Sequence, residues 1–151
     1  MIRVKLQELI GKIADKLKDA IATENTHYTE FTTFKDKVGT SYTNLWNGTK
    51  SVGTSAVNIM ATSEIPKGTY VGWCRVRFAS NSSSYRRVSW STSKTGNDLT
   101  SQEMAVTGGV TVVRVPLGFH ISQGDTFYIN AQSGVTVNAN SADYFLVRIG
   151  E

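Results

Sequence analysis

Apolar side chains recur at alternating spacings of four and three over the first thirty-eight residues. The stripe runs through Leu6, Ile10, Ile13, Leu17, Ala20, Glu24, His27, Phe31, Phe34 and Val38, and only Glu24 and His27 in it are polar. Side chains at this spacing share one helix face, and a seven-residue repeat favours a left-handed coiled coil of several copies. Ile2 and Leu9 widen the face, which favours three or more helices over two. The pattern predicts a homotrimeric coiled-coil stalk over residues 1–40, with the stripe as its interface.

Beyond residue 40 the pattern changes to short runs rich in alternating or β-branched residues. Eight such runs are separated by turn residues, at 43–47, 56–61, 70–78, 86–92, 110–117, 125–131, 135–139 and 144–149. Runs of this length with no helical pattern between them are typical of an antiparallel sandwich. The sequence therefore predicts a mainly β chain, with an N-terminal helix followed by a jelly-roll or sandwich domain over 41–151.

Charge argues against several classes of partner. The net charge is +4, divided as seven basic against six acidic residues up to position 38 and nine against six afterwards. Nucleic-acid binding requires clustered positive charge, and these basic residues are scattered, so we expect no nucleic-acid partner.

Lys and Asp interrupt the N-terminal apolar residues, so the sequence predicts neither a signal peptide nor membrane insertion. Cys74 has no other cysteine to pair with and is expected to be buried and inert.

Catalytic patterns are missing from the sequence. The two histidines, His27 and His120, fall in different predicted modules, and no hydrolase, zinc, P-loop or dinucleotide motif occurs. Asp98, Asp125 and Asp143 lie near predicted turns, where aspartate commonly bends the chain, and no loop has the ligand spacing of a calcium site. We therefore expect no enzymatic activity, no cofactor and no metal site.

Three segments together resemble a known family. They are Ile65–Tyr70 leading into an alternating strand, Gly118–Asp125 before another strand, and the aromatic-rich end at Asp143–Gly150. Over roughly residues 42–151 their order resembles the trimeric jelly-roll heads of the C1q and tumour-necrosis-factor type. With a coiled-coil stalk and no export signal, the chain resembles a bacteriophage tail-fibre or receptor-binding protein.

The resemblance implies a homotrimer on the virion tail, made in the bacterial cytoplasm, whose head binds a host-surface carbohydrate or protein. Other virion proteins are further possible partners. Two alternatives stay open: a virion structural or decoration protein without a receptor role, and a secreted bacterial C1q-like trimer.

Aromatic and basic residues supply the candidate site residues. In jelly-roll heads of the resembled type the sheet that carries Trp73 faces the threefold axis, so Trp73 is expected to contact neighbouring heads. Ligand-binding residues are expected in the loops at the ends of a rigid sandwich. Tyr85 offers a ring for stacking, Arg86 a guanidinium for hydroxyls or acidic groups, and Asn97 and Asp98 acceptors.

Overall fold

The computed structural model describes the backbone of residues 2–150, and the side chains of those residues apart from 2–4, 6 and 34–36. The chain divides into two compact units, with the boundary between Lys37 and Val38. We call the first unit the stalk helix and the second the head.

The stalk helix is a single element, α1 (Ile2–Lys37), of 36 residues and about 54 Å at the usual rise per residue. Its first two thirds are rich in strong helix formers such as Lys, Leu, Glu and Ala. Shortly after its end, Gly39 has a φ of +87°, a conformation that glycine adopts without strain and that commonly terminates helices. No helix in the described part of the chain is long and apolar enough to cross a membrane.

The C-terminal third of α1 is rich in threonine, a residue that weakens isolated helices. Thr23, Thr26, Thr29, Thr32 and Thr33 each donate a hydroxyl hydrogen bond to the carbonyl oxygen four residues earlier, at 2.9–3.0 Å. These bonds satisfy the hydroxyls within the helix instead of diverting the backbone into a turn. The helix continues through this segment, as the apolar spacing predicted.

Eight strands build the head, and they form two four-stranded sheets. The strands are β1 (Ser41–Val52), β2 (Val57–Ala61), β3 (Gly68–Phe78), β4 (Ser84–Ser91), β5 (Thr100–Val106), β6 (Thr111–Ser122), β7 (Tyr128–Ser133) and β8 (Val137–Gly150). Sheet A has the order β1-β8-β3-β6 and sheet B the order β2-β7-β4-β5.

Strand pairing identifies the fold as a jelly roll. β1 pairs with β8, β2 with β7, β3 with β6, and β4 with β5, all antiparallel. This is the pairing of one long eight-stranded hairpin, and the further pairs β3 with β8 and β4 with β7 show that the hairpin is rolled into two sheets. The predicted mainly β architecture, an antiparallel sandwich after an N-terminal helix, is confirmed.

Two strands differ from the sequence prediction. β5 was not predicted, because all its residues before Val106 are exposed or partly exposed and give no alternating pattern. β8 is one strand of 14 residues where two runs were expected. Its small and polar residues at 138–142 resembled a turn, but they are held extended between β1 and β3, with which β8 pairs on both sides.

The core lies between the sheets. Cys74, Val76 and Phe78 are fully buried on the inner side of β3, where they alternate with the exposed Arg75 and Arg77. The Trp90 side chain of sheet B spans the interior, where its indole N–H donates to the Val115 carbonyl of sheet A at 3.2 Å. Burial raises the pKa of the Cys74 thiol far above its ordinary value. A neutral, inaccessible thiol is chemically inert.

Candidate functional site

A polar pocket of about 240 Å3 lies on the outer face of sheet B. Its lining residues are Ala56, Arg87, Ser89, Thr95, Asn97, Ala131 and Gln132. Arg87 of β4 and Gln132 of β7 are directly opposite across the strands, so their side chains share one face of the sheet. The pocket is smaller than typical sites for drug-sized ligands, and a compact polar group suits its size.

The Arg87 guanidinium is fixed at the floor of the pocket. Its Nε and Nη2 atoms donate to Oε2 of Glu103 on β5 at 3.0 and 2.6 Å. Its Nη1 atom donates to Oε1 of Gln132 at 3.3 Å, and its carbon lies 5.8 Å from the centre of the Tyr85 ring. The glutamate compensates the charge, while the amide and the ring restrict the orientation of the guanidinium.

Gln132 extends this network to the backbone. Its Nε2 atom donates to the carbonyl oxygen of Thr54 at 2.6 Å, so both ends of the amide have partners. A chain of hydrogen bonds therefore runs from Glu103 through Arg87 and Gln132 to the segment before β2. Because each group is held by the next, little side-chain freedom remains to be lost when a ligand binds.

The loop between β4 and β5 forms the rim of the pocket and is bonded to the sheet. Asn130 of β7 is fully buried, and its Nδ2 atom donates to the carbonyl oxygens of Ser93 and Gly96 at 2.9 and 2.7 Å. The Ser89 hydroxyl donates to the same Gly96 carbonyl at 3.3 Å. The loop thus has a defined position over the outer face of sheet B.

Asp98 holds the same loop closed. Its carboxylate accepts hydrogen bonds from the Ser91 hydroxyl, from the Thr92 hydroxyl at 2.6 Å and from the Thr92 amide at 3.2 Å. Desolvation by burial would raise the pKa of Asp98, but the hydrogen bonds from Ser91 and Thr92 outweigh it and lower that pKa to about 2. The structure therefore gives this carboxylate partners within its own loop, and its contact with a ligand stays a prediction.

Two rim side chains are available to a ligand. Thr95 and Asn97 are exposed, and neither side chain makes a hydrogen bond to another residue that the structure describes. Each carries both donor and acceptor capacity. Asn97, one of the residues predicted from the sequence, lines the pocket, and the Tyr85 ring lies beside the Arg87 guanidinium without being part of the lining. Direct ligand contact by either residue stays a prediction.

Arg86 corrects the sequence prediction. Its side chain is fully buried on the inner face of β4, where Nη1 donates to the Tyr85 carbonyl and the Ser133 hydroxyl at 3.0 Å and Nη2 donates to the Ser82 carbonyl at 3.2 Å. Burial lowers the pKa of the guanidinium. The expectation of an exposed arginine at this position is wrong, because alternation along β4 places residue 86 on the core side together with Val88.

The outer face of sheet A combines aromatic and charged residues. Trp73 of β3 and Phe145 of β8 are cross-strand partners, with ring centres 6.5 Å apart. The guanidinium carbons of Arg75 and Arg114 lie 5.9 and 5.1 Å from the Trp73 ring, and Arg75 is paired with Asp143 at 2.6 Å. Trp73 is partly exposed on this face. Its contact with neighbouring heads stays a prediction.

Apolar residues of the stalk helix are exposed in the single chain. Ile10, Ile13, Leu17 and Phe31 of the predicted stripe are 57–64% exposed, and Ala20, His27 and Val38 are exposed as well. The side chains of Leu6 and Phe34 lie outside the described residues. Further exposed apolar residues, Leu9, Ile21 and Tyr28, widen the face. These exposures are those of the single chain, and the trimer stays a prediction.

Metal-ligating side chains do not cluster in the part of the chain that the structure describes, where no three or more His, Cys, Asp or Glu residues are close enough to hold an ion. The ring of His120 packs edge-on against Phe127, with centres 5.1 Å apart.

Sequence reasoning missed much of the pocket, including Arg87, Ser89 and Gln132. One signal was available: Val88 and Trp90 are apolar, so alternation assigns residues 87 and 89 to the outer face. The contacts of Arg87 with Glu103 and of Gln132 with Thr54 had no such signal, since the first depends on an unpredicted strand and the second spans 78 positions.

Comparison with protein families and with curated proteins found no match. Similar solved structures include a Bacillus endospore appendage protein that forms disulfide-linked pili (12% identity, 74% of this chain and 90% of that chain, TM-score 0.45). They also include the globular domain of zebrafish complement 1qA (13%, 72% and 95%, 0.40) and the Israel acute paralysis virus pentamer (14%, 73% and 68%, 0.39). With TM-scores below 0.5, these similarities carry no argument about function.

Proposed function

We propose that this chain is a non-enzymatic attachment protein of the bacteriophage tail-fibre or receptor-binding type. In this proposal it is a homotrimer on the virion tail, made in the bacterial cytoplasm, and its heads adhere to a host-surface glycan or protein. The observation that carries the proposal is the joining of a 36-residue helix with an exposed apolar stripe to a compact head with a preorganised polar pocket.

The exposed stripe supports assembly. Burying an Ile or Leu side chain contributes roughly 1.5–3 kcal/mol, so Ile10, Ile13 and Leu17 in each of three copies supply a substantial driving force. This gain opposes the loss of translational and rotational freedom on association, about 4–15 kcal/mol. The seven-residue period of the stripe favours a left-handed coiled coil, and in this proposal its helices run parallel.

Three heads on one coiled coil suit weak, repeated attachment. A pocket of this size is expected to bind in the millimolar range, about 4 kcal/mol for each site. Linking three such sites raises the overall avidity, because the second and third contacts form within one assembly. A cell surface with many copies of one sugar or protein meets this requirement.

The test is binding of the full-length protein to candidate host cells and to their purified wall polysaccharide. We expect the parent protein to bind, Asn97→Ala to bind at least several-fold more weakly, and Thr107→Ala to bind like the parent. Asn97 lines the pocket, whereas Thr107 is an exposed residue outside its lining. If Asn97→Ala binds host cells as well as the parent protein does, the pocket is not the binding site. If the parent protein binds none of the candidate host cells, the attachment role is wrong.

The outer face of sheet A favours a second candidate, a virion structural protein without a receptor role. Leu45, Val112 and Phe145 are 36–59% exposed on the strands of this sheet. Exposed apolar residues grouped on one face are typical of protein contacts. Under this candidate the protein binds virion components and binds no host surface.

A further inference from the structure

We infer that the polar pocket of sheet B is a subsite for an uncharged sugar ring. This inference rests on the proposed attachment function and specifies its ligand class. Acidic sugars, such as uronic acids, are the competing class. Three properties of the pocket decide between them: its charge, its balance of donors and acceptors, and the rigidity of its floor.

Charge favours a neutral ligand. Arg87 is the one charged residue in the lining, and both Nε and Nη2 are already bonded to a single oxygen of Glu103. A ligand carboxylate would have to displace Glu103 from this pair or bind close to a second negative charge. Either course costs free energy that a neutral hydroxyl group does not incur.

The hydrogen-bonding groups match hydroxyls. A sugar hydroxyl donates one hydrogen bond and accepts others, so it requires donors and acceptors side by side. Arg87 uses three of its five N–H groups for Glu103 and Gln132, which leaves two donors. The Asn97 amide and the Thr95 hydroxyl add both donors and acceptors at the rim. A phosphate or carboxylate would leave the acceptors without partners.

The rigidity of the pocket favours binding of a small polar ligand. The floor is held by the chain of bonds from Glu103 to the Thr54 carbonyl, and the rim by the bonds of Asn130 to Ser93 and Gly96. Only Thr95 and Asn97 have side chains to order on binding. A small ligand offers little interaction energy, so a site for it must lose little conformational entropy.

The experiment is ligand-observed saturation-transfer NMR on the full-length protein with glucose, galactose, mannose, N-acetylglucosamine and glucuronate as probes. We expect at least one neutral sugar to bind with a dissociation constant of roughly 1–10 mM, and glucuronate to bind at least tenfold more weakly. Thr95→Ala and Asn97→Ala should each weaken the neutral sugar at least threefold, while the matched Thr107→Ala should not. Circular dichroism melts confirm that the variants are folded.

Glu103→Gln provides the decisive comparison. The substitution removes the compensating charge but retains an oxygen acceptor for Arg87, so we expect glucuronate to bind at least fivefold more tightly than to the parent. Parent protein that binds glucuronate as well as the neutral sugars, or neutral-sugar binding unaffected by Thr95→Ala and Asn97→Ala, overturns the inference. If the protein adheres to host cells yet binds no neutral sugar, the sugar subsite is wrong while the attachment function stands. If the protein binds the sugar but no cell, the sugar subsite stands and the attachment function is wrong.

Discussion

Arg86 and Arg87 are consecutive in β4, yet their guanidinium groups lie on opposite faces of sheet B. The first is buried in the head and bonded to Ser82, Tyr85 and Ser133, and the second lies at the floor of the polar pocket beside Glu103. The alternation of a β-strand thus places two identical side chains in different surroundings, and we expect separate roles for them: stability for Arg86 and, under the proposed function, ligand binding for Arg87.

Replacing each arginine by alanine should separate these roles. Arg86→Ala leaves a cavity and a carbonyl without its donor, so we expect a loss of about 3 kcal/mol in the free energy of unfolding. Arg87→Ala removes an exposed ion pair, which should cost below about 1 kcal/mol. Urea denaturation measures both values. Equal losses for the two variants would contradict the assignment of Arg86 to the interior.

The fold was largely predictable from the sequence because its strongest signals are periodic. The apolar stripe predicted the helix, and the alternation along β3 predicted which of its residues, such as Cys74 and Trp73, face inward or outward. β5 was not predictable in this way, since an edge strand that is exposed on nearly all its residues carries no alternation. The sequence predicts two strands where the structure has the single strand β8, because its Asn, Ser and Ala residues resemble a turn when the strands on both sides are unknown.

The candidate site was less predictable because it depends on contacts between distant residues. Asn97 lies at the pocket, as expected for a loop residue. Arg86 is expected near the loops as a polar residue at the start of a strand, although alternation with Val88 and Trp90 assigns it to the core side. The pocket also needs Gln132 and Glu103, which approach Arg87 only after β7 and β5 pair with β4.

Acid should loosen the pocket rim. The folded pKa of Asp98 is about 2, below its ordinary value of 3.8, so the stabilising effect of this carboxylate is present above the ordinary value and is lost as the pH falls through it towards the folded pKa of about 2. We expect the amide NMR signals of residues 92–98 in the folded head to titrate with a midpoint at about pH 2, because they report protonation of the folded carboxylate. Asp98→Asn, which cannot ionise, should remove that transition. A transition of the same size in Asp98→Asn would show that another group causes it.

Light scattering should report the trimer. Three chains of 16.5 kDa give a particle of about 50 kDa at micromolar concentration, because association covers the exposed stripe of the stalk helix. Leu17→Asp places a charge in the middle of that stripe and should dissociate most of the assembly. Lys16→Asp changes charge beside the stripe and serves as the matched control. A parent protein that is a monomer or a stable dimer contradicts the prediction.

Glu24 and His27 are the polar residues of the stripe, and they should set its specificity at a cost in stability. Polar residues at core positions of coiled coils destabilise the assembly while restricting register and number of strands. We expect the double variant Glu24→Leu and His27→Leu to melt at a higher temperature than the parent and to populate additional oligomers. Calorimetry and sedimentation velocity measure the two effects. A lower melting temperature for the double variant would show that these residues stabilise the stalk.

Trp73 tests whether the heads also associate through sheet A. Its ring is partly exposed beside Phe145, and Arg75 and Arg114 lie against it, so it combines the apolar area and the cations that are common at interface hot spots. Trp73→Ala removes this area from the surface without opening a core cavity, so the head should lose little stability. If the heads pack through this face, the Trp73→Ala trimer is weaker. On dilution it should dissociate at a protein concentration at least tenfold higher than the concentration at which the parent trimer dissociates. The matched variant Phe119→Ala, which removes an aromatic ring that is 84% exposed at another position of sheet A, should leave dissociation unchanged. Unchanged dissociation of Trp73→Ala itself would assign assembly to the stalk helix and leave the outer face of sheet A for another partner.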